Sequence, residues 1–180
     1  MKLTPLAIPG AALVEVEPLE DERGVFARTF CADEFAAAGL PVAFVQCSTS
    51  FSPRKGQLRG MHYQKPPHAE GRLVRCTRGA VYDVMLDLRR GSPMYRKWLG
   101  YELSADNRRA VYIPPGCAHG FVTMEAASEV YYQMTVRYRA DHGAGVRWND
   151  PAFGIAWPEP HPLLSPRDAA YPDWSDAGAL

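Results

Sequence analysis

The chain has 180 residues, 47% of them hydrophobic and 22% charged, enough for one domain with a sizeable core. Its 20 basic and 20 acidic residues cancel, which excludes the broad positive field that draws a protein to nucleic acid or to an anionic membrane, so any bound anion must meet a local cluster. No stretch approaches the roughly 20 apolar residues of a membrane span, and the first residues, MKLTPLAIPGAALVEVEPLEDERG, lack the apolar run of a signal peptide.

In chain order, short alternating runs recur between turn signals. Strands are expected at 12–17, 42–49, 58–64, 72–77, 81–88, 98–103, 110–113, 121–124 and 128–136. Arg78-Gly79, Arg90-Gly91-Ser92-Pro93, Asp106-Asn107 and Pro114-Pro115-Gly116 punctuate them. Within 81–88, Tyr82, Val84, Leu86 and Leu88 fall on one face and Asp83 and Asp87 on the other. Only two stretches read as helical: 32–38, closed by Gly39, and one starting at Ser165-Pro166-Arg167-Asp168, with an N-cap, a proline at the first position and an acid in the first turn. From about Pro151 the chain is rich in proline and aromatics and is expected to wrap the body irregularly. The pattern predicts an all-β sandwich or barrel spanning 1–180 as a single domain. Cys31, Cys47, Cys76 and Cys117 form neither a CxxC pair nor a zinc spacing and read as free thiols of a reducing cytoplasm.

Four segments could carry chemistry. In 56–64, GQLRGMHYQ, a strand interrupts its apolar pattern with Arg59 and His62. Strict alternation puts those two on opposite faces, and Gly60 between them suggests a bulge that turns both toward one cavity. His62 taken alone is better explained as a core histidine with one hydrogen bond. In 113–121, IPPGCAHGF, the turn and His119 match the second half of a metal-binding cupin signature. The earlier H-x-H pair is missing, since Tyr63 and Gln64 follow His62, so the roughly three ligands of a catalytic metal are not assembled. His119 is then available as a donor to an anion. In 128–138, Tyr132 and Tyr138 share parity with Val130 and Met134 and could both point inward from one strand; packing would explain them too. In 21–26, DERGVF, Arg23 sits on a turn with Phe26 close behind.

Taken in order, these segments resemble the dTDP-4-dehydrorhamnose 3,5-epimerase family. DERGVF, KGQLRGMHYQ, RLVRCTRGAVYDV, DLRRGSP, IPPGCAHGF, the Tyr132–Tyr138 pair and RWNDPAFGIAWP carry the likeness from about Asp21 to Asp168. It implies a cupin-type jelly roll, a homodimer, no cofactor and no metal, acting on a nucleotide-linked 4-keto-6-deoxyhexose in dTDP-L-rhamnose-type biosynthesis. By position, His62 would be the general base, held by Asp168, and Tyr132 the acid on the opposite sugar face. Arg72 would stand near the 4-keto oxygen. Arg23, Arg59 and His119 would hold the diphosphate, with Ser48 near the phosphates, Phe26 near the base, and Gln46 and Tyr138 along the sugar.

The residue types suit that chemistry. Protons on C3 and C5 are acidified by the 4-ketone, and an imidazole is a fitting base for them. The enolate needs a fixed donor or cation, and inversion needs a second acid across the ring. No G-x-G-x-x-G fingerprint is present, in keeping with a reaction without redox change. Three positions depart from the family pattern: Arg72 replaces a common lysine, Arg28 an acid that contacts thymine, and Ser48 an asparagine. They leave the nucleotide open. Epimerisation at one carbon only, a metal-dependent cupin enzyme and an inactive sugar-nucleotide binder are the rival readings; the presence of His62 and Tyr132 speaks against the last.

Overall fold

In a computed structural model of the chain, described here for residues 1–176 and 180, two antiparallel sheets face each other. The larger sheet takes β1 (Lys2–Pro5), β2 (Ala12–Glu15), β5 (Gln46–Ser52), β7 (Arg72–Arg78), β10 (Ala110–Ile113) and β12 (Ser128–Met134), in the order β1-β2-β10-β7-β12-β5. The smaller takes β6 (Leu58–Gln64), β8 (Ala80–Asp87), β9 (Trp98–Ser104), β11 (Cys117–Thr123) and β13 (Gly143–Gly145), in the order β13-β6-β11-β8-β9. A detached hairpin pairs β3 (Leu19–Asp21) with β4 (Gly24–Phe26). Helices α1 (Ala32–Ala37) and α2 (Pro166–Ala169) complete the set. Neighbours in each sheet that are distant in sequence give the jelly-roll topology expected.

The alternation of the strands decides what fills the interior. Val74 and Cys76 of β7, Val111 and Ile113 of β10 and Val130 of β12 meet Val81 and Met85 of β8, Leu103 of β9 and Phe121 of β11 in the main core. Both faces of β8 are buried: Val84, Leu86 and Leu88 turn outward, where Phe153, Trp157 and Trp174 of the irregular C-terminal segment cover them. Asp83 and Asp87 therefore share the inward face with Val81 and Met85, and each is buried. A third cluster packs Phe35 of α1, with Phe30 and Phe44, on the outer side of the larger sheet against Val14 and Leu73.

The expected strands at 58–64 and 110–113 stand with the same bounds. The strand expected at 42–49 lies at Gln46–Ser52 instead, because Phe44 is drawn to the α1 cluster while Val42 and Val45 stay exposed. β11 begins at Cys117, earlier than 121, since Ala118, His119 and Gly120 are buried without an apolar alternation to announce it. β2 and β12 end two residues short of their expected limits of 17 and 136. β1, β13 and the hairpin strands were not anticipated. The four cysteines are free thiols. No helix among the described residues is long and apolar enough to cross a membrane.

Candidate active site

A cavity of about 660 Å³ opens between the sheets, within the size range of small-molecule sites. The inward faces of both sheets line it: Arg59, His62 and Gln64 from β6 and His119 from β11 on one side, Gln46 and Ser48 from β5, Arg72 from β7 and Tyr132 from β12 on the other. Tyr138, Arg167 and Asp168 close its rim. Tyr138 reaches it from the chain beyond β12, not from the strand it was expected to share with Tyr132; its backbone N–H donates to Gln46 Oε1 at 2.8 Å.

The bulge suggested by Gly60 is present. His62 pairs with His119 and Arg59 with Phe121, so Gly60 and Met61 on β6 oppose Gly120 alone on β11. Gly60 has φ +129°, and a Cβ there would lie 2.5 Å from Gly120 Cα, so only glycine fits. The extra residue turns Arg59 and His62 into the same cavity while Met61 and Tyr63 pack outward. The Arg59 guanidinium is steadied by Ser52 Oγ (3.1 Å) and Phe51 O (2.9 Å).

His62 Nε2 lies 2.7 Å from Asp168 Oδ1. Burial tends to raise the Asp168 carboxyl, but hydrogen bonding and attraction from His62, with bonds from Gly60 N–H and Ser165, outweigh it and hold it below the usual aspartate range. An ionised carboxylate only accepts, so the imidazole proton sits on Nε2 and Nδ1 is left as a base. The local sequence makes this possible: Ser165 Oγ caps α2 by accepting the Asp168 backbone N–H at 3.1 Å, which frees the carboxylate for His62. Capping and orienting roles coexist in one residue.

A second histidine–carboxylate pair stands across from Arg72. His119 Nε2 is 2.7 Å from Asp83 Oδ2, and Arg72 Nη1 is 3.3 Å from His119 Nδ1. Arginine can only donate, so Nδ1 accepts and the His119 proton points at Asp83. In this arrangement both ring nitrogens are engaged, and His119 meets the cavity as a support for Arg72 rather than as the free anion donor expected. Glu70, Gln64, Asp83 and Arg167 were assigned no role in the site from the sequence. The inward parity of Asp83 was its one visible signal.

Arg23 and Phe26 are not brought to the cavity of their own chain. They stand at the tip and on β4 of the detached hairpin, where Phe26 is 71% exposed and Arg23 pairs with Asp21. Arg28 is also outside the cavity, paired with Glu34. Among the described residues no three His, Cys, Asp or Glu side chains converge as a metal site would need.

A jelly roll of this kind is the fold of the cupin-like sugar epimerases among its structural neighbours. The chain belongs to the dTDP-4-dehydrorhamnose 3,5-epimerase family, whose sequence profile matches residues 5–176. It is 45% identical over 179 residues to the dTDP-4-dehydrorhamnose 3,5-epimerase of Pseudomonas aeruginosa, covering 98% of each chain. It is 41% identical over 169 residues to the dTDP-4-dehydrorhamnose 3-epimerase of Streptomyces niveus, covering 93% of this chain and 81% of that one. The solved structure of dTDP-4-dehydrorhamnose 3,5-epimerase from Bacillus anthracis, with TDP and PPi bound, superposes with a TM-score of 0.89 at 41% identity, over 91% of this chain and 94% of that one.

Proposed function

We propose that the protein inverts C3 and C5 of a dTDP-linked 4-keto-6-deoxyhexose, in deoxysugar biosynthesis of the dTDP-L-rhamnose type. The observation that carries this reading is the placement of His62 and Tyr132 on opposing sheets across one cavity. His62 Nδ1 takes the proton from the carbon next to the ketone; the C–H pair becomes the enolate double bond and charge gathers on the former keto oxygen. Arg72 donates to that oxygen. The Tyr132 hydroxyl protonates the carbon from the other face, which inverts it and restores the ketone, and the tyrosinate regains its proton from solvent. Arg59 holds the diphosphate, and Gln46, Ser48 and Tyr138 border the sugar.

The Bacillus anthracis relative holds TDP, which supports a thymidine nucleotide here. Incubation with dTDP-4-keto-6-deoxyglucose in heavy water tests the whole reading. Deuterium at C3 and C5 with inverted product is expected; no exchange would overturn it. The relative named a 3-epimerase supports a second reading, inversion at C3 alone, which would leave C5 unlabelled.

The same proposal extends to assembly and place. Leu19, Val25 and Phe26 project apolar surface from the detached hairpin. In a homodimer, the hairpin of one copy would carry Arg23 and Phe26 to the other copy's cavity. Sedimentation should give twice the chain mass; a monomer that turns over normally would remove this part. Four free thiols suit a reducing cytoplasm, and fractionation of cells producing the protein would check it.

A further inference from the structure

We propose that Glu70 is a positioning residue that aims Arg72 at the enolate oxygen. This inference rests on the assignment of Arg72 to the keto oxygen made above. Glu70 lies just before β7, two residues from Arg72, so both side chains share the inward face. Its carboxylate is buried, and Oε1 accepts from Arg72 Nε at 2.9 Å and from Arg72 Nη2. Oε2 accepts from Gln64 Nε2 at 3.2 Å. Gln64 is itself buried, donates to His68 O and accepts from Arg139 N–H. Gly71, between the pair, exchanges hydrogen bonds with Thr135: its N–H donates to Oγ1 at 2.8 Å and its carbonyl accepts from the Thr135 N–H at 3.0 Å. The stem that carries acid and arginine is thus fixed before any ligand arrives.

A guanidinium has five N–H groups. Glu70 takes one from Nε and one from Nη2, and His119 Nδ1 takes one from Nη1. One N–H on each terminal nitrogen remains for a ligand. Donors held in advance are what a developing oxyanion requires. A lysine's compact, rotating ammonium can donate in any direction, whereas arginine's donors lie in one planar fork that must be aimed. Glu70 also offsets the charge of Arg72, so the site acts through aimed N–H bonds rather than net positive charge. With both oxygens occupied, Glu70 is not itself placed to take a proton.

The test compares wild type, Glu70→Ala, Glu70→Gln, Arg72→Ala and the Glu70→Ala/Arg72→Ala double variant, each checked by circular dichroism and melting. Turnover is deuterium uptake from dTDP-4-keto-6-deoxyglucose. Glu70→Ala should lower kcat about 100-fold, the scale of an ångström's misplacement, with KM changed less than about threefold. Glu70→Gln, which keeps the shape and an acceptor oxygen, should recover about a tenth or more of the wild-type rate. In the Arg72→Ala background, removing Glu70 should change nothing further. Wild-type turnover in Glu70→Ala, or an equal loss with and without Arg72, overturns the proposal. If Glu70→Ala does not fold, the same cycle is run with Glu70→Gln.

A second readout needs no substrate. The Arg72 Nε–H should give a solvent-protected nitrogen–proton resonance, assigned by its absence in Arg72→Ala and lost in Glu70→Ala. Wild-type protein inert toward the sugar would sink the substrate reading, while this resonance would still decide whether Glu70 holds Arg72; its absence from wild type would overturn the clamp.

Discussion

Asp168→Asn should disable the base by moving one proton. Asp168 accepts twice, from His62 Nε2–H through Oδ1 at 2.7 Å and from the Gly60 N–H through Oδ2 at 3.2 Å. Asparagine has a single acceptor oxygen. With that oxygen toward His62, its amide would face the Gly60 N–H, donor against donor, and an unmade buried hydrogen bond costs about 1–3 kcal/mol. The amide therefore turns its oxygen to Gly60 and its NH₂ to Nε2. Nε2 must then accept, and the imidazole proton shifts to Nδ1, the atom that should receive the substrate proton. In a serine-protease triad the same exchange fixes the wrong tautomer and lowers kcat about 10⁴-fold. A fall of about 10³- to 10⁴-fold is expected here, or about 4–5.5 kcal/mol of activation free energy. The assay is deuterium uptake at C3 under saturating substrate, followed by NMR. The Ser165 cap uses the backbone of residue 168 and survives the exchange, so urea unfolding should show a folded protein. A folded variant within about tenfold of wild type would refute the tautomer reasoning.

Three further outcomes are expected. Tyr132→Phe should still exchange deuterium through His62 while forming inverted product at least about 100-fold more slowly; wild-type product formation would show that another group supplies the acid. Gly60→Ala should lose about 3 kcal/mol or more in urea unfolding, because its Cβ would meet Gly120 Cα at 2.5 Å and His119 O at 2.9 Å with φ at +129°; a shift below about 0.5 kcal/mol would be inconsistent with that contact. The third concerns acid. Burial raises the Asp168 carboxyl and hydrogen bonds, led by His62, lower it further, so its folded value lies below the ordinary 3.8. The stabilisation is complete above that value and is lost as pH falls through the lower folded one. The stability gap between wild type and Asp168→Asn should therefore hold down to about pH 4 and narrow only below it; narrowing between pH 5 and 7 would assign the linkage to another group.

Strands were legible where a short run stands between marked turns. β6 and β10 read correctly because turn signals bound Leu58 to Gln64 and Ala110 to Ile113. β13, Gly-Ala-Gly, has almost no side chains to alternate, and its identity comes from pairing with β6. β11 hid its first half because the interior beside His119 is polar, with Asp83 as its partner. In the site, His62 and Arg59 could be singled out because they interrupt a strand's apolar pattern, while Asp168 was placed beside His62 by the family resemblance. Glu70 and Gln64 could not, since they lie next to a proline-rich stretch and acquire meaning only when Arg72 folds back onto them. Arg23 and Phe26 show the opposite case: they were marked by sequence, yet one chain leaves them on a hairpin outside its cavity.

The C-terminal segment has two tasks that cannot be separated. Phe153, Trp157 and Trp174 seal the outer face of the smaller sheet, and the same stretch of chain delivers Asp168 to a histidine 106 residues earlier. Sealing the body and arming the base are thus one event. Without that wrap, His62 has no carboxylate to fix its proton. The stretch that keeps water from the outer face of the smaller sheet is thus also the one on which the orientation of the base depends.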